Sequence, residues 1–380
     1  MFRGIKKLVC MAGIIIFSLG LASCAIIDAS NTIEALELSE EEEESSDGLV
    51  VVGFSQPGAE SAWRVALTES VKASFTEKNG YKLIFKDAQS KQDNQIKDIR
   101  TFIQQGVDYI ILSPIVETGW DSVLEEAKEA GIPVIICDRM VDVEDQTLYT
   151  AYVGSDFNAE GELAINYIEN NLYNSWLIEE KNGEEEDTEE EAEEETLDEE
   201  SSEATKESFD DGKYHIVHIQ GTIGSSAQVG RTGALEKALE NNDDWELIGQ
   251  TCGDFTKAKS KEAMETILDS IDYRAIDLIY CENDEEALGV ISALDERGID
   301  YGTNEKIKII CFDGTAAGLT ECLNGNISFV VECNPLQGPY LLEIMDKLTS
   351  GKDVYKKSYV DETSFTAEML STEIIESRPY

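Results

Sequence analysis

One charged turn and one charged dipeptide carry most of the chemistry that this sequence can do. Glu60-Ser61-Ala62-Trp63-Arg64 follows an apolar run at residues 49–53 and a turn through Pro57 and Gly58. Asp138-Arg139 closes a second apolar run, residues 133–137. Carboxylate, indole and guanidinium groups at the mouth of a strand are costly to bury and unnecessary for folding. They suit a sugar: hydroxyls pair with charged acceptors and donors, and the C–H face of the ring lies on an aromatic plate. Plainer readings exist. Trp63 can be a core residue on a helix face, and Asp138-Arg139 can be a structural ion pair. Capping, however, has no use for a guanidinium at that place.

Chemistry of other kinds lacks its residues. There is no Gly-x-Ser-x-Gly, and the Gly-x-x-x-x-Gly spacing of residues 53–58 continues into Ala59-Glu60 without the Lys-Ser/Thr of a phosphate loop. The two histidines, His215 and His218, share one strand-like run, which leaves little for acid–base or metal chemistry. No Cys-x-x-Cys or Cys/His spacing suggests a metal. A binding protein without cofactor or metal is therefore expected, not an enzyme.

Apolar runs of strand length at residues 49–54, 82–86, 109–113 and 133–137 must position these groups, and then runs at 214–219, 246–251, 276–280, 307–312 and 328–331. Several are Val/Ile-rich and apolar on both faces, as covered parallel strands are. Amphipathic segments at 92–105, 120–130, 258–271 and 285–297 lie between them, with Gly80, Gly106, Gly131 and Gly298 where helices should stop. The alternation predicts an α/β chain of two doubly wound parallel-sheet lobes. Ligands of such sheets bind outside the carboxyl ends of the strands. Those ends carry Gln56, Asp87, Gln89, Ser113, Asp138-Arg139, Gln220, Asn283-Asp284, Asp313 and Glu332. Asn283 equally suits a helix cap, Asp313-Gly314-Thr315 an ordinary turn, and Thr118 with Asp121 a cap and nothing more. Phe255, after Gly253-Asp254, is a candidate second plate. Arg231 stands early in a helix starting near Ser225, where the dipole disfavours a cation, so some partner must hold it.

The ends and the charge narrow the setting. Arg3, Lys6 and Lys7 precede an apolar run at 8–21, and Leu21-Ala22-Ser23-Cys24 follows, so residues 1–23 are expected to be a lipoprotein signal with lipid on Cys24. Acyl chains there would tether the protein to a membrane surface. Residues 24–48 read as an acidic tether, with 34–47 carrying eight acids and no base. Residues 179–211 carry 19 acids against Lys181 and Lys206 and read as a solvated acidic insert. These two runs, at −8 and −17, hold about half of the formal −48, and that charge excludes nucleic acid as a partner. Of eight cysteines, Cys137, Cys281 and Cys311 end apolar runs and read as buried thiols, while disulfides remain open elsewhere.

Several motifs then carry a family resemblance. Gly53-Phe54-Ser55-Gln56, the turn at 60–64, Gln92 with Asn94-Gln95-Ile96-Lys97, and Thr118-Gly119-Trp120 belong to it. So do Asp138-Arg139, Gln220-Gly221-Thr222, Gly253-Asp254-Phe255-Thr256, Asn283-Asp284 and Asp313-Gly314. In order and spacing they resemble the galactofuranose-binding members of the ribose/galactose-type periplasmic binding proteins of sugar ABC transporters. The resemblance implies the type I periplasmic binding protein fold with a three-crossover hinge. Lobe 1 would comprise 49–152 with a return at about 334–357, and lobe 2 would comprise 153–333 with about 358–372. It puts Gln56, Glu60, Ser61, Trp63, Arg64, Asp138 and Arg139 on one wall of a sugar site. Arg231, Asn283 and Asp313 would face them, with Phe255 flanking and Glu332 near the hinge. Residues 225–231 and Cys333-Asn334-Pro335 depart from the family pattern. The expected partners are a monosaccharide, an ABC permease with its ATPase, and the outer face of the cell membrane, for a monomeric protein. A sugar sensor docking on a signalling receptor is the alternative. A repressor of the same lobe fold would need a DNA-binding helix pair where this chain has a signal and tether.

Overall fold

The computed structural model describes residues 48–178 and 211–380. The signal, Cys24, nearly all of the tether and nearly all of the acidic insert lie outside the described residues. Among the described residues, no helix is long and apolar enough to cross a membrane.

Strands β1 (Val50–Gln56), β2 (Tyr81–Asp87), β3 (Tyr109–Leu112), β4 (Val134–Cys137) and β5 (Ala151–Gly154) form the first sheet, in the order β5-β4-β3-β1-β2. Strands β6 (Tyr214–Gln220), β7 (Trp245–Cys252), β8 (Leu278–Cys281), β9 (Lys308–Asp313) and β10 (Phe329–Glu332) repeat that winding as β10-β9-β8-β6-β7. All these pairings are parallel. Two late strands finish the edges: β11 (Lys357–Tyr359) lies parallel to β5, and β12 (Ser364–Phe365) antiparallel to β10. The chain thus passes between lobes three times, at 155–156, 333–334 and 360–363, the type I periplasmic binding protein arrangement.

The core follows from period-two strands buried on both faces. In the first lobe Val52, Phe54, Ile111, Ile135 and Val153 meet helices α1 (Ala62–Ser74) and α9 (Gly338–Thr349). The alternate residues Ile110, Leu112, Val134, Ile136 and Tyr152 meet α2 (Gln92–Gln105) and α3 (Asp121–Glu129). The second lobe repeats the division, with α6 (Lys257–Leu268), α7 (Asp284–Arg297) and α8 (Ala316–Leu323) on one face. Helices α4 (Phe157–Tyr167) and α5 (Ser226–Asn241) cover the other, and α10 (Thr372–Glu376) packs against α8. Each fully buried Ile, Leu or Phe contributes about 1.5–3 kcal/mol. Helix α9 returns to the first lobe and is fastened there, Tyr81 donating to Asp346 Oδ1 at 2.6 Å and the Gly338 amide to Ser70 Oγ at 3.0 Å.

Close packing fixes one glycine beside the site. A Cβ at Gly53 would stand 2.5 Å from the Phe102 ring, so β1 and α2 approach closely only because that position is bare. Thr118 caps nothing. Its carbonyl accepts from Gln92 Nε2, and the residue before α3 is Trp120, buried with its indole donating to Val116 O. All six cysteines among the described residues are free thiols, five of them buried, so no disulfide staples the lobes there.

Candidate functional site

Both sheets point their carboxyl ends at one narrow cavity. It is lined by Glu60, Ser61, Trp63, Arg64, Asp138 and Arg139 from the first lobe, and by Phe157, Ala227, Arg231, Phe255, Asn283 and Asp313 from the second, with Cys333 at the second crossing. Its empty space, open mouth included, is about 300 Å³.

The first wall is an ion network built on α1. Ser61 caps the helix by accepting from the Arg64 amide at 3.1 Å, which sets Glu60, Trp63 and Arg64 on the turn that faces the cleft. Arg64 reaches Glu60 Oε1 through Nε at 2.9 Å and Asp138 Oδ2 through Nη1 at 2.5 Å. Ser113 Oγ donates to the same Asp138 oxygen at 3.0 Å. Arg139 lies 3.7 Å from Glu60 Oε1, donates to Ile115 O at 3.1 Å, and stands over the Phe255 ring at 5.1 Å. Burial alone pushes the Glu60 carboxyl up, but Arg64 and Arg139 overcome it and hold the group below its ordinary value. Burial, followed by the neighbouring Arg64, lowers Arg139. Glu60 Oε2 is buried without a hydrogen-bond partner, an acceptor ready for a ligand hydroxyl.

The second wall turns on Arg231. Its partner is Glu160 on α4, whose Oε2 is 2.8 Å from Nε and 2.7 Å from Nη2. Nη1 donates to Glu282 O at 2.5 Å, and the guanidinium lies over Phe312 and Phe157, 4.6 and 5.3 Å from their centroids. Nη2 has no well-aligned acceptor despite its nearness to Glu160, and Asp313 Oδ1 is 3.7 Å away. Burial drives the Asp313 carboxyl well above its usual range, and Arg231 offsets this only in part. Asn283 performs both candidate roles, capping α7 by accepting from the Glu286 amide at 2.8 Å while lining the cavity.

Backbone strain is collected here. Of six non-glycine residues with positive φ among the described residues, Asp138 (64°), Phe255 (57°) and Asp313 (95°) line the cavity, and Asp254 (54°) adjoins it. Such conformations cost roughly 1–3 kcal/mol each and persist where neighbours over-determine them. Glu286 Oε1 accepts from the Phe255 amide at 2.9 Å, and a Cβ at Gly221 would stand 2.0 Å from the Phe255 ring. That glycine keeps the plate's seat open.

Two residues expected at the site stand outside its lining. Gln56 is buried behind the first wall, donating to Gly58 O at 2.8 Å and Thr68 Oγ1 at 2.5 Å, because the side chain at the end of β1 turns into α1. Glu332 accepts from Arg378 at 2.6 Å, Tyr380 OH at 2.9 Å and the Thr363 amide at 3.0 Å, and so ties the final segment to the end of β10. Trp63 lines the cavity and also donates from Nε1 to Cys333 O at 2.5 Å. Sequence reasoning did not select Phe157, Ala227, Cys333 or Glu160 for the site. Phe157 and Glu160 follow a strand end by a few residues, the only signal either carries.

Comparison with known proteins agrees with this architecture. Residues 52–353 match the family described as periplasmic binding protein domain. The galactofuranose-binding protein YtfQ of Escherichia coli K12 is 35% identical over 292 residues, 76% of this chain and 79% of that protein. A Mycobacterium smegmatis structure in complex with β-D-fucofuranose superposes with a TM-score of 0.69 at 35% identity, covering 84% of this chain and 92% of that one. The arabinose ABC transporter binding component of Shewanella sp. ANA-3, bound to α- and β-L-arabinofuranose, gives 0.69 at 34% identity, covering 87% and 95%. With its two like-wound sheets, three crossings and cleft of charged strand ends, this chain belongs to the periplasmic binding protein domain family.

Proposed function

We propose that this protein is the lipid-anchored solute-binding component of a bacterial ABC importer, capturing a monosaccharide in its furanose form, galactofuranose or a close analogue. One observation carries the reading: a single cavity draws arginine–carboxylate systems and aromatic faces from both lobes at once. Only a ligand touched by both lobes can bias their closure, because a ligand shifts an equilibrium by its differential affinity for the two states. Glu60 Oε2 and Arg231 Nη2 supply a buried acceptor and a buried donor without aligned partners, which sugar hydroxyls would satisfy. Trp63, Phe157 and Phe255 supply the apolar faces. The furanose form is argued from relatives: two of the similar structures hold furanose sugars. Lobe closure would then trap the sugar and present the closed form to a permease.

The test is a melting-temperature screen of the mature chain against galactofuranose, fucofuranose and arabinofuranose, each beside its pyranose form. Ligand at about a hundred times Kd should stabilise the fold by about 2.7 kcal/mol. No stabilisation by any sugar would sink the reading, and stabilisation by pyranoses alone would overturn the ring form. Cys24→Ala should release the protein from the membrane fraction; continued membrane association would overturn the lipid anchor.

A further inference from the structure

The three crossings meet in a buried polar cluster. Ser155 of the first crossing donates to Glu362 Oε1 of the third, and the Asn334 amide of the second donates to the same oxygen at 2.8 Å. Cys333 Sγ lies 3.2 Å from Ser155 Oγ. A carboxylate oxygen of Glu160, one of Glu362 and the Cys333 sulfur all fall within 4.8 Å of one another. Glu160 is 4% exposed, and its Oε1 has no partner although its Oε2 binds Arg231. Two carboxyl groups therefore lie close together, Glu160 buried and Glu362 partly so, with one nearby guanidinium, and a half-satisfied oxygen lies on the one that grips it.

We propose that Glu160 and Glu362 hold one proton between them, joining the three crossings and setting how firmly Arg231 is presented to the sugar. The second half rests on the reading of Arg231 as a sugar contact. With the proton in place, Glu160 is the single counter-ion of Arg231, and Glu362 spans the first and second crossings as a neutral acid. Without it, two like charges share a largely enclosed site, which is unfavourable unless the geometry gives way. Parting the crossings, or turning Arg231 toward Glu362, relieves the repulsion, and either weakens the grip on a ligand. Glu160 and Glu362 are thus positioning residues.

The surroundings favour the proton over a metal ion. Arg231 already occupies Glu160 Oε2, and a divalent cation would have to stand beside it. Burial pushes the Cys333 thiol well up, opposing the thiolate that a metal would need. Asp313, itself pushed up by burial, faces Arg231 from the end of β9, and Tyr152 spends its hydroxyl on Asp138 O and Ser155 O. Burial, reinforced by Glu160, raises Glu362 from an ordinary 4.5 to about 9. The contribution of the retained proton is whole below about 4.5 and is lost as pH rises through about 9.

The test compares wild type with Glu362→Gln, which keeps the shape of the protonated acid. In ligand-free protein, wild-type melting temperature should fall between about pH 6 and about pH 10 with a slope that Glu362→Gln flattens. Parallel profiles would overturn the shared proton. So would a melting temperature shifted by zinc or by a chelator in wild type but not in the variant, which would make the cluster a metal site. Infrared spectra of wild type itself should show a protonated-carboxyl band that fades near the alkaline transition, so the proposal stays testable if the variant fails to fold. Persistence of every such band through the transition would overturn it. In the sugar arm, wild-type affinity should drop about tenfold over the same rise while that of Glu362→Gln stays level. A flat wild-type affinity beside a pH-sensitive melting curve would overturn the link to Arg231. If no sugar binds either protein, the proposed function fails, and the ligand-free arm still decides the proton.

Discussion

The two lobes offer arginine to one cavity in opposite electrical settings. On the first wall, Arg64 and Arg139 meet Glu60 and Asp138, so charges balance and Glu60 is held ionised despite burial. On the second, Arg231 stands alone before Glu160 and Asp313, both pushed up by burial. The difference teaches that similar residues do different work. Balanced pairs present fixed charges to the cavity, whereas carboxyls in excess of cations keep protons and can donate hydrogen bonds.

The largest effect should come from removing the cation that the first wall cannot replace. Arg64→Met leaves Asp138 without its close cation and Glu60 with only the more distant Arg139, and should cost about 3–5 kcal/mol in urea unfolding of ligand-free protein. Arg231→Met should cost less than half as much near neutral pH, because its carboxyls can take protons; equal losses would break the contrast. Next is Arg139→Ala. Calorimetry should find sugar affinity reduced roughly a hundredfold, about 2.7 kcal/mol, with ligand-free melting nearly unchanged. Asp313→Asn, nearly isosteric with the protonated acid, should alter affinity by less than about threefold, whereas Asp138→Asn should lower it tenfold or more. Reversed ranking in titrations would show that the second wall works through fixed charge after all. Smallest is Gln56→Ala, expected to lower stability by about 1 kcal/mol and to leave sugar affinity within about twofold.

Legibility in the sequence tracked how local each feature is. Strand runs rich in Val and Ile, with acids and amides at their ends, expose the parallel lobes and bring Asp138-Arg139 and Asn283 to notice, because strand polarity alone places those ends. Much of the first wall is spelled within five residues, Glu60 to Arg64, at the start of one helix. The second wall depends on distant parts. Glu160 resembles an ordinary first-turn acid facing water, and only the packing of α4 against α5 brings it to Arg231. Glu362 lies in a connection with no periodicity, and its partners Ser155 and Asn334 come from two other crossings. Gln56 misled for the opposite reason: a strand end marks the rim, but the rotamer decides whether a side chain faces the cleft or the helix behind it.

The lobes also touch through groups that no sugar needs to reach. Helix α5 begins with Ser226, whose Oγ accepts from the Met140 amide at 2.8 Å, while the Glu117 amide donates to Gly224 O at 2.8 Å. These contacts join the first lobe to the second through residues outside the cavity lining. Contacts that join two lobes without a ligand favour the joined arrangement, and the fraction of a binding-competent arrangement scales apparent affinity. Ser226→Ala removes the acceptor of the Met140 amide and should weaken this join while leaving the cavity lining as it is.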